Sequence, residues 1–182
     1  MEMKFPQTKF QQVVFALLTV FLTVHCFVYY SLFVVNGEFL MAATGASTVL
    51  AALKSQGGVM MWGQIVPVWQ VIVLEFILAM VLEMTLGHPV SLKIATRMFD
   101  PHSTSPVLFE LAVIAATVAV MCPAMSLLAA FLYYPHHADF SLLEVLVFWT
   151  RLLCVNFPFA LFMQVFLIQP VVRRLFRCLF RK

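Results

Sequence analysis

Apolar residues along this chain gather in four long blocks, at about 13–35, 64–86, 107–133 and 142–168. A helix needs about 20 apolar residues to cross a hydrocarbon core about 30 Å thick. The pattern therefore predicts four transmembrane helices. Polar and turn-forming residues separate the blocks: Asn36-Gly37 after the first, Gly87-His88-Pro89 after the second, and Pro135 to Asp139 after the third. The connection at 36–63 is long and fairly apolar. Within it, Phe39–Leu53 predicts a short helix lying at the interface or on the bundle. Gln56-Gly57-Gly58 breaks that helix, and Trp62 and Trp69 flank the next crossing, as interfacial aromatics do. Lys4 and Lys9 resemble the start of a secretory signal, but a signal core is only about 7–15 residues long. The first block is longer, which predicts a retained anchor.

Composition supports the bilayer as solvent. The chain has 182 residues, 63% apolar and 10% charged. A soluble domain is nearer half apolar and a quarter charged. The formal net charge is +3, and its placement matters more than its size. Lys4, Lys9, Lys93, Arg97, Arg173, Arg174, Arg177, Arg181 and Lys182 all fall on one side of the predicted crossings, and Lys54 alone falls on the other. Cytoplasmic flanks carry the excess of Lys and Arg. The expectation is a multi-pass protein with both termini in the cytoplasm. The basic C-terminal tail suits anionic lipid, and the charge pattern has no stripe suited to nucleic acid.

The second and fourth blocks align without gaps at an offset of 81. Glu75 matches Asn156, Phe76 matches Phe157, Glu83 matches Gln164, Pro89-Val90 matches Pro170-Val171, and Lys93 matches Arg174. Phe39 and Phe140 answer each other after the first and third blocks. The expected fold is all-α: two tandem hairpins, residues 1–102 and 103–182, divided at the Ser103–Pro106 cluster and related by an axis along the membrane normal.

Asn156-Phe157-Pro158-Phe159-Ala160, then Gln164, then Pro170-Val171-Val172-Arg173, resembles a bacterial membrane family called domain of unknown function 2798. Met121-Cys122-Pro123-Ala124-Met125-Ser126 is similar to its first-helix pattern. The resemblance implies short hairpins, sometimes carried twice, in the bacterial cytoplasmic membrane. It implies no activity.

Polar side chains at membrane depth are costly and mark candidate sites. Six stand out: His25, Glu75, Glu83, Arg151, Asn156 and Gln164. Glu83 follows Glu75 by eight residues, about 80° of rotation and 12 Å of rise, so the two acids share one broad face. Asn156 and Gln164 repeat that geometry, which predicts a polar ladder through the bundle. His25 lies at a depth similar to Glu75, near enough for a proton-relaying pair. Arg151 needs a carboxylate, from Glu75 or from Asp139 or Glu144 nearer the surface, or a water-filled cavity. One reading of this set is a small proton-coupled transporter, in which a homodimer helps to enclose a cavity. The other is a scaffold or accessory subunit whose polar groups fix helix packing.

The chain has no nucleophile elbow, HExxH or phosphate loop, so it is not expected to be an enzyme, and no cofactor is implied. Cys26, Cys122, Cys154 and Cys178 lack metal-binding spacing and read as small soft apolar side chains. His136-His137 with Asp139 is a weakly specific metal pattern, and no metal site is expected there.

Overall fold

The structure is a computed structural model that describes residues 8–101, 103–133 and 141–180. Helix α1 runs Lys9–Tyr30 and passes into a wide π-turn, Ser31–Val35. Thr8 opens it with a capping box. Its hydroxyl accepts from the Gln11 N–H, and the Gln11 side chain accepts in return from the Thr8 N–H. Two short helices follow, α2 (Gly37–Thr44) and α3 (Val49–Gln56). They fill the region where a single short helix was expected. Gly45, at φ 68°, ends the first of them in the left-handed conformation that glycine adopts freely.

The all-α expectation needs one correction here. Val59–Met61 and Gln64–Val66 form a two-stranded antiparallel hairpin, β1 and β2, with Met61 opposite Gln64. Trp62 and Gly63 make its turn with φ of 50° and 71°, and positive φ at both central residues is what matches such a turn to strand twist. The second crossing therefore begins at Val68 rather than at Gln64. Pro67 forms its N-cap, where a missing N–H costs nothing.

Helix α4 (Val68–Leu82) passes through a π-turn (Glu83–Gly87) into α5 (His88–Met98). Helix α6 runs Pro106–Tyr133. Helix α7 (Leu142–Met163) passes through a π-turn (Gln164–Ile168) into α8 (Gln169–Leu179). Gly87-His88-Pro89 thus does not close the second helix, and Pro170 does not end the fourth. A proline ring crowds the carbonyl four residues earlier and offers it no donor. For Pro89 that carbonyl belongs to Thr85 and for Pro170 to Phe166. Both lie inside the widened turns, which take up the crowding without breaking the helix. The two π-turns begin 81 positions apart, at Glu83 and Gln164, and α5 and α8 begin 81 apart as well.

Among the described residues, four helical runs are long and apolar enough to cross a membrane: Lys9–Val35, Val68–Met98, Pro106–Tyr133 and Leu142–Leu179. The chain is a multi-pass helical membrane protein. Phe10 and Phe180 pack edge to face with ring centroids 6.3 Å apart, so the described chain begins and ends at the same end of the bundle.

Packing changes hands at the π-turns. Helix α4 packs on α1, and its continuation α5 packs on α6. Helix α7 packs on α6, and its continuation α8 packs on α1. The inner stripe of α1 is Val20, Val24, Val28 and Leu32, spaced one turn apart and clustered with Ala79. Small residues Cys122, Ser126 and Ala130 let α7 approach α6 closely, as membrane helices require. Large apolar side chains such as Val73, Ile77, Val147 and Phe166 face outward, where lipid solvates them.

Candidate functional site: polar rungs between the helices

The six candidate residues do not form one continuous ladder. Three of them, Glu75, Asn156 and Gln164, make separate rungs, each joining a different pair of helices. Glu75 on α4 is half-buried, and its Oε1 accepts a hydrogen bond of 2.6 Å from the Tyr133 hydroxyl at the end of α6. Asn156 on α7 donates through Nδ2 to the Ser126 Oγ of α6 at 3.3 Å. Gln164, at the start of the second repeated π-turn, donates through Nε2 to the Thr23 Oγ1 of α1 at 2.9 Å. Gln169 in turn donates to the Gln164 Oε1 at 3.4 Å. Such interhelical bonds contribute on average about 0.6 kcal/mol each in a membrane protein.

The expected Glu75–His25 pair is not formed. The inward stripe of α1 is Val20, Val24, Val28 and Leu32, and His25 lies about 100° round from Val24. It sits instead on an outer aromatic stripe, its ring 4.2 Å from that of Phe21 and 6.4 Å from that of Tyr29. Its Nδ1 is 2.7 Å from the Phe21 carbonyl oxygen.

Arg151 does not reach Glu75 either. The face of α7 that meets α6 carries Val145, Phe148, Trp149 and Leu152. Arg151 lies on the outer surface, beside shallow hollows lined by Leu146, Val147, Thr150 and Cys154. Among the described residues it has no hydrogen-bond or ion-pair partner. Asp139, its alternative partner, and the His136-His137 pattern lie outside the described residues, as do Lys4, His102, Phe140, Arg181 and Lys182. No group of three or more potential metal-ligating side chains occurs among the described residues.

Glu83 opens the first π-turn. Its Oε2 lies against Gly87, so close that a Cβ there would meet it at 2.5 Å. The Met121 sulfur of α6 packs on the same spot, where the same Cβ would meet it at 2.8 Å. Glu83 has no hydrogen bond to another described residue. The amide at the equivalent place, Gln164, has one. The two positions share a backbone geometry and differ in chemistry.

Two further rungs were not anticipated. Arg173 on α8 forms an ion pair with Glu110 on α6, with side-chain exposures of 26% and 11%. The Trp149 Nε1 donates to the Pro123 carbonyl oxygen at 3.0 Å, fastening α7 to α6 beside the internal proline. The sequence held a signal for the first. Glu110 lies one turn into its helix and Arg173 one turn beyond Pro170, which sets opposite charges near the same end of the bundle. The bond to Pro123 has no such signal, because a backbone carbonyl leaves no mark in composition.

No protein-family model, curated protein or solved structure matches the chain.

Proposed function

We propose that this chain is a non-catalytic scaffold or accessory subunit of a membrane, with its intramembrane polar side chains acting as interhelical clamps. The observation that carries this reading is the Glu75–Tyr133 bond of 2.6 Å. The acid best placed to serve a proton carrier is already engaged by a neighbouring helix. Shallow surface hollows lie on the outer face of α7, around Arg151. The Asn156–Ser126 and Gln164–Thr23 rungs support the same role. A second reading, a small proton-coupled transporter or efflux protein, is favoured by one feature: Glu83 has no hydrogen-bond partner among the described residues and sits on a π-turn, a distortion often found at functional sites.

The chain is read as a duplicated hairpin. The 81-residue spacing of the two π-turns and their following helices supports this, and so does the matched exchange of packing partners. Kinship with domain of unknown function 2798, and with it a bacterial cytoplasmic membrane, rests on the Asn156-Phe157-Pro158 and Pro170-Val171-Val172-Arg173 segments. Both termini are placed in the cytoplasm on the distribution of Lys and Arg. There the exposed Arg174 and Arg177 of α8 would meet anionic lipid.

The test is purified protein in vesicles loaded with a pH-sensitive dye, comparing the native chain with Glu75→Gln and Glu83→Gln. The clamp reading expects no proton flux from any of the three, with thermal stability lowered in Glu75→Gln. Proton flux in the native protein that either substitution abolishes would establish the carrier instead.

A further inference from the structure

The outward face of α1 carries aromatic and imidazole rings one turn apart: Phe21, His25, Tyr29 and Phe33. Neighbouring centroids along the stripe lie 4.2, 6.4 and 6.4 Å apart. Phe21, Tyr29 and Phe33 are each about half exposed, at 50%, 48% and 46%. Phe21 also meets Phe76 of α4 edge to face at 6.4 Å, at one border of the stripe.

Two polar groups on this stripe are unmatched. The Nδ1 of His25 lies 2.7 Å from the Phe21 carbonyl oxygen. A carbonyl can only accept, so Nδ1 carries the hydrogen, and in the neutral ring Nε2 is left as an acceptor. Among the described residues neither Nε2 nor the Tyr29 hydroxyl has a hydrogen-bond partner. The stripe thus presents one unused acceptor and, one turn further on, one unused donor. In hydrocarbon each is costly to leave unpaired.

We propose that this stripe is a homodimer interface, in which the Tyr29 hydroxyl of each copy donates to the His25 Nε2 of the other. The geometry fits a two-fold axis along the membrane normal. Two copies inserted the same way meet with His25 facing His25 at the same depth. Tyr29 lies four residues on, about 6 Å along the axis. Both side chains lean toward the helix N-terminus, and the longer tyrosine reaches further back than the imidazole, which narrows that offset. The contact is isologous, and one stripe supplies both halves of two reciprocal bonds. Phe21 and Phe33 flank the pair and exclude lipid from it. Residues one turn apart form the ridges that pack helices at about −50°. The interface does not depend on whether the protein clamps or carries.

The experiment is dimerisation of the full chain in liposomes at graded protein-to-lipid ratios, read by energy transfer between labelled copies. Tyr29→Phe removes one oxygen and leaves packing unchanged. It should lower the dimerisation constant about ten-fold, since two interhelical bonds are lost at once. His25→Leu should cost about as much, and the double variant no more than either single one. His25→Gln, which keeps an acceptor, should restore part of the affinity. A chain that stays monomeric at every ratio overturns the proposal. So does a dimer indifferent to both substitutions, or one in which their effects simply add.

Discussion

Replacing Tyr133 with Phe removes one hydroxyl from the end of α6 and leaves the ring in place. In the native protein that hydroxyl donates to Glu75 at 2.6 Å across the α4–α6 contact. Two costs follow. The interhelical bond itself is worth about 0.6 kcal/mol on average and up to about 1.7. The Glu75 carboxyl then loses its partner in a poorly hydrated place, and an unsatisfied buried acceptor costs about 1–3 kcal/mol. The two overlap, because the second includes loss of the first, so Tyr133→Phe should destabilise the protein by about 1–2 kcal/mol. Reversible unfolding in mixed micelles would measure it as a shift of the folding equilibrium of about five- to thirty-fold. Glu75→Leu should cost a similar amount. The double variant should recover most of that loss and lie close to the native protein, because replacing both partners of a bond with apolar groups is nearly neutral. The clamp argument fails if Tyr133→Phe leaves stability unchanged, or if the two substitutions add.

Two further outcomes follow from the same geometry. Arg173→Ala should destabilise the tail end of the bundle by about 1–3 kcal/mol, between the values for exposed and buried ion pairs, and the exchange Glu110→Arg with Arg173→Glu should restore part of it; unfolding at low and high salt would check both. Gly63→Ala places a side chain in the left-handed region, with no atom near enough to clash, so it should weaken the β1–β2 turn by about 1 kcal/mol through backbone strain alone, seen as faster amide exchange at Met61 and Gln64.

The four crossings were legible because their signal is collective: some twenty apolar residues in a row outweigh any local exception. The polar residues were legible one by one, but their partners were not. Partner choice depends on helix rotation and tilt, which an apolar block does not encode. His25 and Glu75 share a depth, yet the valine stripe of α1 turns His25 outward and leaves Glu75 to Tyr133. Arg151 is turned away from α6 in the same manner by Val145 and Trp149. Pro89 and Pro170 misled because proline usually closes a helix, and the widened turns that accommodate it are not a composition signal. The hairpin at Val59–Val66 is only two three-residue strands, and its turn uses Trp-Gly in place of the usual Asn-Gly. Glu110 was overlooked beside a Ser/Thr/Pro cluster that reads as a loop.

The exchange of partners at the π-turns has a mechanical consequence. The second and fourth crossings each spend their first part against the first long helix of their own half, α1 or α6, and their second part against that of the other half. A half of the chain alone would leave α5 or α8 with nothing to lie on, so the halves are not independent folding units. Together they hold each other as two hooks do, through overlap rather than through the thread between them. The connector from Phe99 to Ser105 is then dispensable to the assembled bundle. A chain cut there, with both pieces made in the same membrane, should still close into the same four-helix object.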